Sequence, residues 1–356
     1  MLKIGFYLNE INYRGISNSV FLFAKNNKKI LKNESIIFYW SRSIDNKKEV
    51  IKKFKKNFKL YKVRDFKELD KISKKLKLDY CYFQRAGYQE YLLHNTKNIV
   101  HAVFPEKSRY HGDNYAYVSN WLSKNCSNKK LPYVPLPIKL KKNNQDFRKK
   151  LNIPKNAKVF GYHGGPTSFD LDFVKDVVKK ISKKKDNIYF CFMNINKFFS
   201  HKRVFFLKGT FSEIQKVKFI NTCDAMLHAR SLGESFGISC AEFVIKRKPI
   251  LAYEFCRHRS HFEMCKQNII PYHSFNDLIN KLIKFNKQKK IKNFSLEKMC
   301  SEKNTIKKFN KIFLKNNIKL SLNLLDYVLI FSFYLKRNYF YLRHKIYINF
   351  YKIFKN

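Results

Sequence analysis

The sequence predicts an α/β protein of two domains, each built on a parallel β-sheet with helices on both faces. Short apolar runs alternate with longer amphipathic, lysine-rich stretches along most of the chain, and alternating strands and helices favour parallel sheets. The runs form two series that separate near residue 150. The length of 356 residues also suits two domains of ordinary size.

The first series predicts five buried strands, at residues 3–8, 35–40, 80–83, 99–103 and 115–118. A proline-bearing segment and a lysine-rich run up to residue 150 follow it, and together they predict a hinge. The second series predicts five more strands, at residues 159–162, 188–193, 204–207, 225–228 and 250–253. We therefore expect an N-terminal domain over residues 1–150, a C-terminal domain over residues 151–295 and a helical tail over residues 296–356.

The chain is strongly basic, with 74 Lys and Arg against 26 Asp and Glu and a formal net charge of +48. Such an excess suggests a nucleic acid or an anionic membrane as partner. The basic residues are nevertheless spread along the whole chain and accompany no recognition motif, so we expect no specific nucleic-acid partner. Hydrophobic residues make up 45% of the chain, which is enough to bury a core and excludes a disordered polybasic chain.

The eight cysteines are scattered and form no Cys-x-x-Cys pair, so the sequence predicts neither a zinc site nor a disulfide framework. Buried thiols in a reducing compartment are the expected alternative. The apolar run at residues 1–8 is too short for a secretory signal. We therefore expect a cytoplasmic protein.

The tail has a composition of its own. Residues 318–335 are largely apolar but are interrupted by Lys319, Asn323 and Asp326, and a membrane-spanning helix needs roughly 20 consecutive apolar residues. Two interpretations stay open. The tail is either a terminal helix packed on the protein, or an interfacial helix that meets an anionic membrane through residues 318–356.

One stretch has the residues for ligand chemistry. Residues 224–229 predict a short buried strand, and a turn at Gly233 leads into a helix that begins near Phe236. Glu234 and Glu242 flank the start of this helix, whose free amides favour a phosphate. Gly237 lets a ligand approach the main chain closely. Because vicinal hydroxyls can donate to a carboxylate in pairs, this arrangement suits a sugar, a diphosphate and a ribose in line.

This stretch resembles the donor-site signature of retaining GT-B glycosyltransferases of the family 4 type. That signature is Glu, seven residues and Glu, with Phe-Gly after the first glutamate and a Pro-led strand after the second. Here Glu234, Phe236, Gly237, Glu242 and Pro249 occupy those places. The resemblance extends with decreasing specificity over residues 1 to about 315. It implies a GT-B fold, in which two Rossmann-like doubly wound domains face each other across a cleft, here followed by the helical tail.

The resemblance also implies roles for single residues. Glu242 would bind the ribose hydroxyls, and Glu234 a hydroxyl of the transferred sugar. The backbone amides near the helix start would hold the sugar and the diphosphate, and those are the amides of Phe236, Gly237, Ile238 and Ser239. His101 would contact the sugar, which makes Glu234 and His101 the expected catalytic pair, and Gly15 would let a loop approach the phosphates. The alternatives are that His101 is a core histidine with a backbone partner and that Gly15 is an ordinary turn glycine.

The chain departs from the family at one place. The family usually has an Arg just after the first strand of the second domain and a Lys a few residues on, and residues 160–170 contain neither. A departing diphosphate needs its growing charge stabilised. The candidates to replace them are His163, the amides of Gly164 and Gly165, and Arg230 or Lys208.

The sequence Asp170-Leu171-Asp172 has two interpretations. Asp-x-Asp binds a divalent metal in the GT-A architecture of glycosyltransferases. Here it opens a helical stretch, so helix capping is the preferred explanation. We therefore expect no metal and no cofactor, the nucleotide-sugar being a substrate.

The leading functional hypothesis is a glycosyltransferase that moves a sugar, with retention, from a nucleotide-sugar to a glycan, a lipid-linked or another acceptor. One alternative is a nucleotide-sugar epimerase of the same architecture. The other is a non-enzymatic protein that binds polyanions or a membrane. The expected location is the cytoplasm or the inner face of a membrane.

Overall fold

The computed structural model describes residues 1–105, 110–287, 294–316 and 320–354, and the chain divides into two compact units. The first unit comprises Met1–Ile138 and Lys298–Phe333, and the second Lys139–Glu297 and Tyr334–Asn356. The boundary after residue 138 therefore lies before the predicted position at 150. Hydrogen bonds explain the shift, because Asn221 binds the carbonyls of Asn143 and Gln145 at 2.8 and 2.9 Å and so ties this segment to the second unit.

The first unit contains a six-stranded parallel sheet in the order β3-β2-β1-β4-β5-β6. Its strands are β1 (Lys3–Leu8), β2 (Glu34–Trp40), β3 (Lys59–Val63), β4 (Tyr80–Arg85), β5 (Lys97–Ala102) and β6 (Asn114–Tyr117). Its helices up to this point are α1 (Gly15–Lys29), α2 (Lys48–Asn57), α3 (Phe66–Leu76) and α4 (Asn120–Ser127). This is the strand order of a Rossmann-like doubly wound sheet.

The second unit repeats the same topology, with its parallel sheet in the order β14-β12-β10-β7-β8-β9. The strands are β7 (Lys158–His163), β8 (Ile188–Met193), β9 (Val204–Leu207), β10 (Ala225–His228), β12 (Ile250–Tyr253) and β14 (Ile269–Tyr272), and a small separate pair is formed by β11 (Gly233–Glu234) and β13 (His258–Arg259). The helices are α5 (Asp172–Lys184), α6 (Glu213–Thr222), α7 (Ile238–Ile245), α8 (Ser260–Cys265) and α9 (Phe275–Lys284), with a 3-10 turn at Lys266–Asn268.

The sheets form because their apolar runs are buried on both faces, as in parallel sheets covered by helices. In β1, every residue from Ile4 to Leu8 is buried. All eight cysteines are buried, and none is joined to another in a disulfide. The predicted fold class, two doubly wound parallel sheets with a C-terminal helix, is confirmed.

The tail does not form a separate part as predicted. It contains α10 (Phe294–Cys300), α11 (Glu302–Phe309), a π-helical turn (Asn310–Leu314) and α12 (Leu324–Phe354). Residues 298–333 rejoin the first unit because their aromatic side chains complete its core. Phe309, for example, packs against Phe23 and Tyr82, with ring centroids 5.2 and 5.5 Å apart.

One face of α12 packs on the protein, as the first interpretation of the tail predicts. Phe333 packs against Trp121 at 5.2 Å between centroids, and Tyr347 packs against Phe173 at 5.1 Å. Among the helices of the described residues, none combines the length and the apolarity that crossing a membrane requires.

Candidate active site

The site lies where the strand order of the second sheet reverses, at the ends of two neighbouring strands. Strands β7 and β10 are adjacent, and the chain leaves them towards opposite edges of the sheet, which is the point where doubly wound sheets bind ligands beyond the strand ends. His163 is the last residue of β7 and His228 the last of β10. Each histidine lies beside one of the two predicted glutamates.

Glu234 is held between a histidine and an arginine. Its Oε1 accepts a hydrogen bond from Nε2 of His228 at 3.2 Å, and its Oε2 accepts one from Nη1 of Arg230 at 3.1 Å. Burial alone would raise the pKa of Glu234, but Arg230 and the hydrogen bond from His228 lower it to about 2. Glu234 is therefore ionised at neutral pH, and its charge is balanced by Arg230.

Glu242 has an equivalent arrangement, with a lysine that the sequence analysis missed. Lys216 of α6 donates to Oε1 at 2.6 Å, and Nε2 of His163 lies 3.0 Å from Oε2. The carboxylate is almost completely buried, with 1% of the residue exposed. Burial would raise the pKa of Glu242, but Lys216 and His163 lower it to about 2. No sequence pattern marks Lys216, because it lies 26 residues before its partner on a lysine-rich helix.

The N-terminus of α7 lies between the two glutamates along the chain. The helix begins at Ile238, two residues later than predicted, because Gly237 has the left-handed φ of 91° and no side chain caps the helix. The first amides of a helix have no partner within it and attract anions. Phe236 is buried, whereas Ile238 and Ser239 are partly exposed. The predicted phosphate-binding site at the helix N-terminus is therefore partly accessible to solvent, at Ile238 and Ser239.

Gly237 also has little room for a side chain. A Cβ at this position would lie 3.2 Å from Cβ of Glu234 and 3.3 Å from Cβ of His261. Together with its positive φ, this contact explains the glycine. The absence of a side chain at Gly237 also lets the start of α7 lie close to Glu234.

The loop after β7 is tightly packed. The carbonyl of Gly164 accepts a hydrogen bond from Nδ2 of Asn194 at 2.7 Å, and a Cβ on Gly164 would lie 2.5 Å from Oγ of Ser168. Lys208 directly follows β9 and is exposed. Of the predicted substitutes for the missing Arg and Lys, His163 and Arg230 are the two whose side chains contact the glutamates.

The Asp-x-Asp segment does not cap α5 as predicted. The N-cap is Leu171, without a side-chain hydrogen bond, and Asp172 in the first turn pairs with Lys175 at 2.8 Å. Asp170 instead accepts hydrogen bonds from the amide and hydroxyl of Ser231 at 2.7 and 3.0 Å, because its side chain points to the loop after β10. Across the described ranges, no three His, Cys, Asp or Glu side chains are placed to share a metal ion.

The two predicted site residues of the first unit lie in other surroundings. His101 is completely buried. Its Nε2 donates to the carbonyl of Val134 at 2.8 Å, so its Nδ1 accepts from the hydroxyl of Tyr82 at 2.6 Å. Burial lowers the pKa of His101 to about 4, although the hydrogen bond to Val134 opposes this shift. These contacts match the alternative of a core histidine. Gly15 is the exposed first residue of α1.

Two further histidines lie near Glu234 and were not predicted. The ring of His261 is completely buried and its centroid lies 4.6 Å from that of His228. Burial, reinforced by His228, lowers the pKa of His261 well below its ordinary value. Burial likewise lowers the pKa of His258 to about 3. Both rings are therefore neutral at pH 7.

No family model and no curated protein matches this sequence. Solved structures do. A glycosyltransferase from Rickettsia africae aligns with a TM-score of 0.63 at 14% identity, over 88% of this chain and 99% of its own. HepE of Anabaena, in complex with UDP and glucose, aligns with a TM-score of 0.64 at 11% identity, over 89% of this chain and all of its own.

A third similar structure is a single-residue mutant of TarM of S. aureus, in complex with fondaparinux, alpha-GlcNAc-glycerol and UDP. It aligns with a TM-score of 0.58 at 11% identity, over 95% of this chain and 99% of its own. These similarities show the fold of the chain, which is the GT-B fold of two Rossmann-like units.

Proposed function

We propose that this protein is a glycosyltransferase that takes a sugar from a nucleotide-sugar donor. The observation that carries the proposal is the pair of ionised glutamates, Glu234 and Glu242, on either side of an uncapped helix N-terminus at the switch point of a doubly wound sheet. The glycosyltransferase of the Rickettsia africae structure and the UDP and glucose bound to HepE support it.

In this proposal the ribose hydroxyls of the donor bind Glu242, and a hydroxyl of the transferred sugar binds Glu234. The diphosphate binds the amides at the start of α7. During transfer the bond between the anomeric carbon and the diphosphate oxygen breaks, and the oxygen of an acceptor hydroxyl bonds to that carbon while its proton passes to the departing diphosphate. The helix amides and Arg230 stabilise the charge on the departing diphosphate. Retention of configuration and independence of metal are part of the proposal.

We assign a glycan or lipid-linked acceptor to the enzyme, which would work in the cytoplasm on the inner face of a membrane. The support for the membrane is the outer face of α12, which consists of exposed apolar side chains at helical spacing: Val328, Phe331, Leu335, Leu342, Ile346, Phe350 and Ile353. At about 100° per residue, these lie opposite Phe333, Tyr347 and the other side chains that pack on the protein.

The charges beside this outer face suit anionic lipid. Exposed Lys336 and Arg343 lie on one side of the apolar stripe, and exposed Lys345 and Lys352 on the other. Residues 327–354 contain no acidic residue. Long basic side chains reach headgroups while apolar neighbours enter the acyl boundary.

The enzymatic part is tested with a panel of nucleotide-sugars, by donor binding and by release of nucleoside diphosphate. We expect binding of at least one donor, loss of that binding in Glu242→Ala, and, once an acceptor is found, a product with the donor's anomeric configuration by NMR. A folded protein that binds no donor, or a Glu242→Ala variant that binds normally, would contradict the proposal. An epimerised sugar formed without acceptor would favour the epimerase instead.

The membrane part is tested by flotation with phosphatidylcholine vesicles, with and without phosphatidylglycerol. The wild type should float with the anionic vesicles, and Leu335→Gln/Leu342→Gln/Ile346→Gln should not. Ile30, Ile44 and Ile283 are exposed elsewhere, so their triple Gln variant is the matched control. If the α12 variant and the control variant float equally well, lipid is not the partner of this face. The same conclusion follows if the α12 variant still floats but no longer self-associates.

A further inference from the structure

We infer that Lys216 is held by Glu242 until the ribose of the donor takes this carboxylate, that Lys216 then moves to the diphosphate, and that His163 stays in place as a second donor to it. The inference rests on the proposed function. It answers the question raised by residues 160–170, which contain neither Arg nor Lys. The cation for the diphosphate is then provided by α6.

Both oxygens of Glu242 lie against a basic side chain, although only the contact of Oε1 with Lys216 has the geometry of a hydrogen bond. Lys216 lies 2.6 Å from Oε1 and His163 lies 3.0 Å from Oε2, and the carboxylate has almost no exposed surface. Two ribose hydroxyls therefore cannot bind this carboxylate unless one of its basic partners leaves. Donor binding must be an exchange of partners.

The displaced ammonium needs a new anion. Only 16% of the Lys216 side chain is exposed, and a buried charge without a partner is strongly destabilising. Ile238, at the start of α7, is one helical turn before Glu242, or about 6 Å along the axis. A phosphate at that helix start lies within reach of a lysine that swings on its flexible four-carbon stem.

His163 supports the same exchange from the other side. Its ring is stacked on Phe243 of α7, with centroids 5.9 Å apart, and it ends β7 at the place where the resembling family has its diphosphate arginine. Held by that ring contact, its Nε2 stays at the helix while the carboxylate changes partner. Lys216 supplies the mobile charge and His163 a fixed donor.

The exchange predicts opposite effects on two ligands. Without Lys216, a nucleoside meets a carboxylate that is easier to reach, whereas a nucleoside diphosphate loses one charge-assisted contact. A lysine that merely stabilised Glu242 would change the affinity for both ligands by the same factor. The ratio of the two dissociation constants separates these cases.

The experiment uses the full chain and calorimetry with nucleoside and nucleoside diphosphate pairs, namely uridine with UDP, guanosine with GDP and adenosine with ADP. For the pair that binds, Lys216→Met should weaken the diphosphate by about 10- to 100-fold and leave the nucleoside within about 3-fold or tighter. Lys216→Arg should restore most of the ratio. Lys218→Met, on the same helix, is the control for the loss of a lysine, and thermal melting shows that each variant is folded.

The outcomes are distinct. If the folded wild type binds none of the diphosphates, the proposed function fails. If it binds one in a Glu242-dependent way but Lys216→Met weakens both ligands equally, only this inference fails. An unfolded Lys216→Met variant is replaced by Lys216→Gln, to which the same two criteria apply.

Discussion

The two units share one strand order but differ in what the ends of their strands contain. In the first unit, His101 near the end of β5 has both ring nitrogens bonded inside the core. In the second, His163 and His228 end β7 and β10, and each lies within 3.2 Å of a glutamate. The same topology therefore holds a neutral core histidine in one unit and two charged clusters in the other.

The contrast between the units lies in their side chains rather than in their topology. The sheet order positions the strand ends, but it does not decide their function. What distinguishes the second unit is that buried carboxylates stay ionised, because Arg230 and Lys216 lower their pKa values to about 2. The following predictions test the contrast, in order of decreasing expected effect.

The largest effect is on stability in acid. Since burial lowers the pKa of His101 from 6.5 to about 4, the unfolded chain binds more protons than the folded one between these values. The free energy of unfolding should therefore fall as the pH decreases from 6.5 to 4, with about 3 kcal/mol from this residue. In His101→Phe this share of the pH dependence should vanish, as measured by urea unfolding at each pH.

Glu234 and Glu242 affect the free energy of unfolding over a lower pH range. Their pKa values are lowered from 4.5 to about 2, so their stabilising contribution is present above pH 4.5 and is lost as the pH falls towards 2. If the free energy of unfolding of His101→Phe depends on pH between 6.5 and 4 as strongly as that of the wild type, His101 is not the neutral core histidine that distinguishes the first unit. Loss of turnover in a folded His101→Phe with normal donor affinity would instead support its predicted catalytic role.

The next effect concerns donor affinity. Glu242→Gln keeps the shape of the side chain but removes the charge that the ribose, Lys216 and His163 share. We expect donor binding to weaken by about 30-fold, or about 2 kcal/mol, as for a lost charge-assisted hydrogen bond. Glu297→Gln, an exposed glutamate of the same unit, should bind like the wild type in the same titration. Equal affinities of the two variants would place the ribose elsewhere.

A smaller effect is expected from glycine. Gly237→Ala puts a Cβ on a residue with φ of 91° and within 3.2 Å of Glu234, so it should lower the free energy of unfolding by about 1 kcal/mol. Gly15→Ala, at the exposed start of α1, should change it by less than about 0.5 kcal/mol. Thermal or urea unfolding measures both. A larger loss of stability in Gly15→Ala than in Gly237→Ala would reverse the contrast.

The smallest effect is that of metal removal. Because the proposed site balances the diphosphate with protein cations, EDTA should leave donor binding and turnover unchanged within about 2-fold, a difference of less than about 0.5 kcal/mol. Dialysis against EDTA followed by assays with and without Mg²⁺ or Mn²⁺ measures this. Activity that needs an added metal would show that the site lacks sufficient charge of its own.

The sequence predicted all the interior strands of the two six-stranded sheets but only two of their four edge strands. Strands β8, β10 and β12 begin and end at the predicted residues because continuous apolar runs mark interior strands, and the edge strand β9 does so as well because its four residues are all apolar. Strands β3 and β14 were missed, and each is an edge strand. Lys59 and Lys62 interrupt the apolar residues of β3, and Pro271 interrupts β14, which an edge strand tolerates because it has an unpaired side.

The candidate site was predictable where one motif or the family resemblance marks its residues, as the resemblance did for His163. Glu234, Gly237 and Glu242 lie within one motif, whereas Lys216 reaches the site through the packing of α6, and His261 through the packing of α8. Such contacts depend on the fold rather than on spacing. For the same reason the domain boundary was misplaced, because Asn221 determines which unit residues 143–145 join.

The buried cysteines give the protein a natural set of reporters. All eight are buried thiols outside any disulfide, and by position in the chain Cys81, Cys126 and Cys300 belong to the first unit and the other five to the second. A thiol reagent can label each only when its surroundings open. Mass spectrometry of the labelled peptides would therefore time the opening of each unit separately, in the unmodified protein and with or without a bound nucleotide.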